Sequence, residues 1–278
     1  MNSVIKGASY VLVHTPDMVL YNGTTQTTER VVNPDSEYLK AVPEHLRSYE
    51  EAVSYWPNQT YIGNAHPDEL AEIEFPYYDK KKEGAERYGK YGEIMPEEEF
   101  LLLVQACDMF EVVRLDKVFV EKYKEAFAKD PVISDDIVEK IHEGVELSEI
   151  ETLISEDHAE PLYFEHQLVG CVKPAHDIDV NLSSHVMHEN LMSKASSVLA
   201  LLYAVKNAGI EKSDVEYVID CAEEACGDMN QRGGGNFAKA AAEVGRSCQC
   251  NRIRCQRILC STDTCTDRGS RTGKSRRV

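Results

Sequence analysis

The net charge of this chain changes sign at one point, which limits how much of the chain can fold as one body. Of its 30 Lys and Arg and 48 Asp and Glu, residues 245–278 hold nine basic and two acidic side chains. The first 244 residues are therefore strongly acidic and the remainder is basic. The last segment also lacks aromatic residues and has four large aliphatic ones, too few to offset the entropy of ordering. We expect residues 245–278 to be a non-native, disordered tail.

The tail holds five of the nine cysteines of the chain: Cys248, Cys250, Cys255, Cys260 and Cys265. A zinc or disulfide cluster with an arginine-rich nucleic-acid arm is one interpretation, but paired C-x-x-C spacings are missing. A shifted reading frame is the other. Degenerate codons from Gly245 onward, read one nucleotide later, can encode AGLVNATGSDVRGFCA followed by APTHALIEAAALVKAGV. That pattern of helix, turn, strand and helix favours a tail that is out of frame.

The overall composition excludes some classes of function. A net charge of −18 argues against a nucleic-acid partner, because phosphate backbones are bound by basic patches. The chain contains no apolar run of the ~20 residues that a membrane helix needs, and its first residues do not read as a leader. We therefore expect a cytoplasmic protein with no membrane or nucleic-acid partner, and we predict no cofactor and no metal.

Residues 1–95 are predicted to form a strand followed by a loop-rich region. The stretch Ala8–His14 is rich in β-forming residues. Prolines then recur too often for a long helix, at Pro34, Pro43, Pro57, Pro67 and Pro76. Polar Thr, Asn and Gln residues are dense in Tyr10–Glu29 and Asn58–Asn64. They are typical of turns, and a subunit interface or the rim of a pocket is the alternative.

Residues 96–160 are predicted to be a helical subdomain that packs against the rest of the chain or binds a partner. Pro96 and the three glutamates that follow suit the positive end of a helix dipole. Apolar residues at helical spacing continue from Phe100 to Phe110. Further amphipathic patterns predict three more helices, near Asp116–Lys129, Asp135–His142 and Ser148–Ser155.

Residues 161–244 are predicted to begin a layered α/β core. Asn190–Ala208 has an apolar face at helical spacing and ends at Gly209, a natural C-terminal cap. Val215–Cys221 is typical of a buried parallel strand. A glycine turn, Gly233–Gly235, then precedes a helix of small residues, Phe237–Glu243. This order of elements indicates an α/β sheet covered by helices.

Several words of the sequence carry a resemblance to a known family. Lys206–Ile219 is similar to the helix–strand unit that opens the thiolase fold in enzymes of the ketoacyl synthase III type. Four further words, Lys6–Arg30, Pro57–Asn64, His185–Asn190 and Glu224–Gly235, resemble the beta subunits of component C of the glycine/sarcosine/betaine reductase complex. The resemblance runs from about residue 6 to residue 244. It implies the N-terminal portion of a thiolase-like fold with a helical insertion.

The resemblance also implies a function in amino-acid fermentation. In this family an acetyl group is transferred to phosphate, which yields acetyl phosphate. The implied partners are the phosphate-acyltransferase-like alpha subunit of component C and the selenoprotein component A, which carries a carboxymethyl group. A non-catalytic scaffold that holds the alpha subunit is the alternative. Acyl transfer needs an activated thiol and donors for an oxyanion, and thiolase-like enzymes place that cysteine where the shifted frame encodes FCAAPTH. We therefore expect the chain as written to be inactive.

Four cysteines precede the tail, and each is weighed as a nucleophile. Cys226 lies beside the glycine turn and is a weak catalytic candidate, although a buried or surface structural cysteine has the same appearance. Cys221 ends a predicted buried strand and is assigned to the core. Cys107 and Cys171 have no neighbouring His and Asp in the sequence that would activate them. No catalytic residue is therefore assigned firmly.

Two other motifs have both a functional and a structural interpretation. His185, His188 and Glu189 have a spacing that is superficially typical of metal ligands, but it matches neither HExxH nor HxxEH. A structural or capping role is the preferred prediction. Gly233–Gly235 has the composition of a phosphate-binding loop, and a tight turn before a helix is preferred there.

Overall fold

The computed structural model describes residues 3–216 and 218–220, together with residue 244 and residues 256 and 257. These residues form a mixed α/β structure in which helices predominate and the strands are short. The mixed α/β class predicted from the sequence is thus confirmed. The predicted helix Phe237–Glu243, the glycine turn before it and the predicted disorder of the tail concern residues outside the described ones, apart from residues 256 and 257.

The N-terminal strand is shorter than predicted and pairs with a distant segment. Strand β1 covers Leu12–His14, at the end of the predicted stretch, and it runs parallel to β2, Ile94–Pro96. Leu12 is the partner of Ile94 in this register. The pairing therefore brings together the two ends of a segment of about eighty residues. This segment forms an insertion between the two paired strands.

The prediction of a loop-rich stretch was wrong for residues 16–71. Six short helices lie there: α1, Pro16–Asn22; α2, Thr24–Val32; α3, Glu37–His45; α4, Tyr49–Ser54; α5, Trp56–Tyr61; and α6, Pro67–Ala71. Pro16, Pro57 and Pro67 occupy the first turns of α1, α5 and α6, where a missing backbone N–H costs no hydrogen bond. The prolines limit helix length, and none of these helices exceeds nine residues.

The helices predicted in residues 96–160 are present, and two of them end earlier than expected, at Ala106 and at Val138. They are α7, Glu97–Ala106; α8, Lys117–Phe127; α9, Asp135–Val138; and α10, Leu147–Glu156. Asp116 caps α8 by accepting a hydrogen bond from the Phe119 backbone N–H. Every residue of α7 except Glu98 is buried. Helix α7 is therefore the central element of the core.

A three-stranded antiparallel sheet packs beside these helices and was not predicted from the sequence. Its strands are β3, Val113–Leu115; β4, Glu160–Phe164; and β5, Gln167–Val172, in the order β3-β5-β4. Glu165 and His166 connect β4 to β5 with φ angles of 51° and 62°. Two consecutive residues with positive φ match the twist of a tight hairpin.

The longest helix, α11, covers Ser184–Ala208 and begins six residues earlier than predicted. It ends as predicted at Gly209, whose φ of 61° is left-handed. The predicted apolar face is buried at Leu191, Ala195, Val198, Leu199 and Leu202. Beyond it, β6, Ile219–Asp220, runs parallel to β7, Gln256–Arg257. None of the helices in the described part of the chain is long and apolar enough to span a membrane.

The core does not follow the limits predicted between regions of the chain. One large buried cluster includes Met95, residues of α7 and α8, strand residues such as Leu162, and the inner face of α11. The pairings of β1 with β2 and of β3 with β5 also cross residues 95 and 160. The division into 1–95, 96–160 and 161–244 stays a prediction.

Candidate functional site

The first two turns of α11 place the His185–Glu189 segment against β4 and α1. His185 Nδ1 lies 3.3 Å from Glu160 Oε1, and His185 Nε2 lies 3.5 Å from Glu189 Oε1. On the other side, Asn22 Nδ2 donates to the same Glu160 oxygen at 3.0 Å. We call Asn22, Glu160, His185, His188 and Glu189 the α11 polar cluster. It joins three segments that are far apart in sequence.

Charges in the α11 polar cluster are set by the contact between His185 and Glu160. Burial opposes ionisation of Glu160, but hydrogen bonds with His185 and Asn22 outweigh burial and lower the pKa of this carboxyl. The hydrogen bond with Glu160 is also the main reason that the pKa of His185 is raised. Each partner therefore stabilises the charged form of the other.

His188 lies one turn further along α11 and has a different environment. Its side chain is buried, and neither ring nitrogen has a hydrogen-bond partner among the described residues. Burial lowers the pKa of His188 to about 4, so the ring is neutral near pH 7. Within the part of the chain that the structure describes, no three His, Cys, Asp or Glu residues are placed to hold a metal ion together.

The N-terminus of α1 is stabilised by the buried carboxyl group of Glu97 from α7. Glu97 accepts hydrogen bonds from the backbone N–H groups of Asp17 and Met18, at 3.2 and 3.0 Å. Burial raises the pKa of Glu97 to about 8. Asp17 is buried as well, and its Oδ1 lies 2.9 Å from His166 Nδ1 in the β4–β5 turn. Through these contacts the polar segment Tyr10–Glu29 packs against other parts of the same chain.

The second polar word, Asn58–Asn64, makes hydrogen bonds within its own neighbourhood. Gln59 is fully buried, and its Nε2 donates to the carbonyls of Val53 and Glu86 at 2.8 Å. Asn64 Nδ2 donates to the Tyr88 carbonyl at 2.9 Å. These contacts are the turn and packing chemistry that the sequence predicted, and the alternative of a subunit interface stays a prediction.

A cleft of about 580 Å³ opens beside the N-terminus of α11. Lys173 and the histidines His158 and His176 lie among acidic side chains in its wall. His176 Nδ1 is already used, because it accepts hydrogen bonds from the backbone N–H groups of Ile178 and Asp179. The wall therefore presents several acidic side chains together with the cation Lys173.

The described cysteines are buried and are not activated. Cys107 and Cys171 are free thiols inside the core. Burial raises the pKa of Cys107 to about 12 and that of Cys171 to about 11. A nucleophilic cysteine instead needs a lowered pKa and access to the substrate. The weak candidate Cys226 lies outside the described residues, as do Cys221, Gly233–Gly235 and the cysteines of the tail.

Part of the site was missed by the sequence analysis. Glu160 and Asn22 hold the α11 polar cluster together, and neither was singled out. A charged residue that starts a strand was the available signal for Glu160, but its partner His185 is 25 residues away. The sequence carries no local sign of such a pairing.

The described fold and its polar cluster define a mixed α/β protein in which a helical N-terminal region is joined to a long central helix. No family model and no solved structure matches the chain. Among curated proteins, the beta subunit of component C of the glycine/sarcosine/betaine reductase complex from Peptoclostridium acidaminophilum is 59% identical over 243 residues. The match covers 87% of this chain and 47% of that relative, so the chain spans about half the relative's length. The resemblance to component C beta subunits is thereby confirmed.

Proposed function

We propose that the chain derives from a component C beta subunit that takes part in the transfer of an acetyl group to phosphate. The 59% identity to such a subunit is the observation that carries this proposal. The proposed partners are the alpha subunit of component C, which resembles phosphate acyltransferases, and the carboxymethyl-carrying selenoprotein component A. The proposed architecture is the N-terminal portion of a thiolase-like fold with a helical insertion.

The described cysteines support a catalytic thiol that lies elsewhere. Acyl transfer through a thioester requires a thiolate that reaches the acyl donor, whereas Cys107 and Cys171 are buried and have raised pKa values. The family places its nucleophile in the word that the shifted frame encodes as FCAAPTH. The proposal therefore assigns no acetyl phosphate formation to the chain as written.

The extent of the match supports an out-of-frame tail. The relative aligns over 243 residues, about as many as precede the change of charge after Val244. Resequencing the gene across codon 245 tests this directly. A single-nucleotide difference that restores the FCAAPTH word is the expected result, and the same uninterrupted frame in independent isolates would contradict it.

An assay of the intact subunit tests the catalytic proposal. The restored gene is expressed together with the alpha subunit, and acetyl phosphate is measured with phosphate and an acetyl thioester as substrates. Replacing the cysteine of FCAAPTH by serine should abolish product formation while the two subunits still purify together. The buried Cys107→Ser variant is the matched control and should keep the activity.

The scaffold alternative predicts a different outcome in the same assay. If the beta subunit only holds the alpha subunit, the serine variant forms acetyl phosphate at the normal rate. Loss of the beta subunit would then abolish assembly, not chemistry. Copurification of the two subunits together with full activity of the serine variant would replace the catalytic proposal by the scaffold.

A further inference from the structure

Arg87 is surrounded by three acidic side chains in the interior of the chain. Its Nε donates to Glu93 Oε2 at 2.8 Å, and its two terminal nitrogens bind both oxygens of Glu99 at 2.7 and 2.6 Å. One of those nitrogens also reaches Asp130 Oδ2 at 3.1 Å. We call Arg87, Glu93, Glu99 and Asp130 the Arg87 cluster. It fastens the turn at residues 88–93 to α7 and to the loop after α8.

The charges of the Arg87 cluster do not balance if every carboxyl is ionised. One guanidinium would face three carboxylates, leaving two uncompensated negative charges. The side chains of Glu93 and Asp130 are fully buried, that of Glu99 is 7% exposed and that of Arg87 is 19% exposed. Uncompensated charge is costly in such an interior, and a buried acid relieves it by binding a proton.

Two hydrogen-bond arrangements show which carboxyl is suited to carry a proton. Both oxygens of Glu99 accept hydrogen bonds from Arg87, and both oxygens of Asp130 also accept, Oδ2 from Arg87 and Oδ1 from the Val132 backbone N–H. Glu93 Oε1 is buried and accepts no hydrogen bond from Arg87 or from a backbone N–H, and the Glu93 carboxyl also interacts with the Tyr203 hydroxyl. A proton on Glu93 would let this carboxyl donate a hydrogen bond to Asp130, with which it interacts.

The other groups around Glu93 supply no second positive charge. The titratable side chains that face it from the packed elements are phenols, from α4, from the 88–93 turn and from α11: Tyr49, Tyr88 and Tyr203. Tyr49 donates its hydroxyl to the Ile94 carbonyl at 2.8 Å, and Tyr88 directs its hydroxyl toward Asp130. Arg87 is thus the cation that the described residues offer to these three acids.

We propose that the Arg87 cluster takes up one proton from solvent when the chain folds and holds it on Glu93 at neutral pH. The protonated Glu93 then closes the cluster, and loss of this proton loosens the 88–93 turn from α7. The contacts that the Arg87 cluster makes between the 88–93 turn and α7 therefore weaken as the pH rises. The turn also contacts α11, because Asn207 Nδ2 donates to the Tyr91 carbonyl at 3.0 Å. Loosening of the turn therefore also affects the packing of α11.

The direction of the pH effect follows from the pKa values. Burial, followed by the charge of Asp130, raises the pKa of Glu93 from 4.5 to about 8. The folded chain therefore binds more protons than the unfolded chain between these values. Stability due to Glu93 is fully present below the unfolded pKa and is lost as the pH rises through the folded one. Glu97 contributes with the same sign, since burial raises its pKa to about 8 as well.

Unfolding of the full 278-residue chain by urea, measured at pH 6, 7 and 8, tests the proposal. Each extra proton bound by the folded state raises the unfolding equilibrium constant up to about tenfold per pH unit in this window. Glu93→Gln keeps the shape and removes the titration, so its pH dependence should be lower than that of the wild type by up to about tenfold per unit. A Glu93→Gln variant whose pH dependence equals that of the wild type would overturn the proposal.

Glu97→Gln is the matched control, because Glu97 is a buried glutamate on α7 outside the Arg87 cluster. Glu97→Gln should remove the part of the pH dependence that is due to Glu97 and keep the part that is due to Glu93. The Glu93→Gln/Glu97→Gln double variant should lose both parts. Should Glu93→Gln fail to fold, carboxyl-¹³C NMR of glutamate-labelled Glu97→Gln chain decides the matter. One carboxyl that titrates near pH 8 supports the proposal, and no such carboxyl overturns it.

Discussion

His185 and His188 lie one turn apart on α11, and their surroundings give them opposite tendencies to bind a proton. His185 is about one third exposed and faces two glutamates, so its charged form is favoured. His188 is buried without a partner among the described residues, so its neutral form is favoured. The same residue type therefore has two electrostatic states within one motif, which the spacing alone does not reveal.

Replacing Glu160 by Gln should lower the pKa of His185, because the main cause of its upward shift is removed. The stability from His185 is fully present below its unfolded pKa and is lost as the pH rises through its raised folded pKa. The stability from Glu160 is fully present above its unfolded pKa and is lost as the pH falls through its lowered folded pKa. We expect Glu160→Gln to lower the free energy of unfolding by at most ~1 kcal/mol at pH 6, since the pair is partly exposed. NMR titration of the histidine rings gives the pKa directly. Glu189→Gln is the control with the smaller effect, and an unchanged pKa of His185 in Glu160→Gln would refute the assignment.

Cys107 and Cys171 should resist alkylation in the folded chain. Their raised pKa values leave almost no thiolate at pH 8, and burial excludes the reagent. Peptide-resolved mass spectrometry after brief iodoacetamide treatment measures each thiol separately. Both should react at least tenfold faster in urea than in buffer. Equal rates in the two conditions would show that these thiols are not in the core.

At the scale of single elements, capping hydrogen bonds determine where the described helices start. Ser48 and Glu51 form reciprocal hydrogen bonds at the start of α4, with distances of 3.2 and 3.1 Å. Helix α1 lacks such a local cap, and Glu97 from α7 takes that role. A helix whose cap comes from a distant segment forms together with its tertiary contacts, which explains why the sequence around residue 16 was not recognised as helical.

Gly209→Ala should destabilise the chain by ~1 kcal/mol, because the left-handed conformation at the end of α11 strains any residue with a β-carbon. Space is not the reason, since an added β-carbon would meet no atom within 4 Å. Urea unfolding compares this variant with Gly209→Asn, in which the side chain tolerates the conformation better and should cost less. Equal stability of the alanine variant and the wild type would contradict the capping role.

On the scale of the whole molecule, the Arg87 cluster and the β1–β2 pairing connect the N-terminal helical region to the core. Both involve the segment from residue 87 to residue 96, which pairs with β1, contacts α7 and approaches the C-terminal end of α11. The stability of the N-terminal helices therefore depends on residues that lie outside them in the sequence.

Arg87→Leu should destabilise the chain by ~3–5 kcal/mol, because it leaves the buried acids without their cation. Thermal or urea unfolding measures the loss, and the effect should diminish at low pH as the acids become protonated. Lys129→Ala is the control, since the Lys129–Glu125 pair is 70% and 83% exposed and such pairs contribute little. A loss in Arg87→Leu no larger than that in the control would contradict a central role for the cluster.

Local patterns in the sequence determined the helices α7, α8 and α11 and the cap at Gly209, because apolar periodicity and turn residues act within a few positions. The resemblance to component C beta subunits rested instead on matching sequence segments. The tertiary structure decided the rest. The short helices of residues 16–71 depend on prolines that fit first turns and on caps such as Glu97. The Glu160–His185 pair and the Arg87 cluster join charges that are 25 and up to 43 positions apart. Their geometry and their protonation arise from burial, which local sequence does not encode.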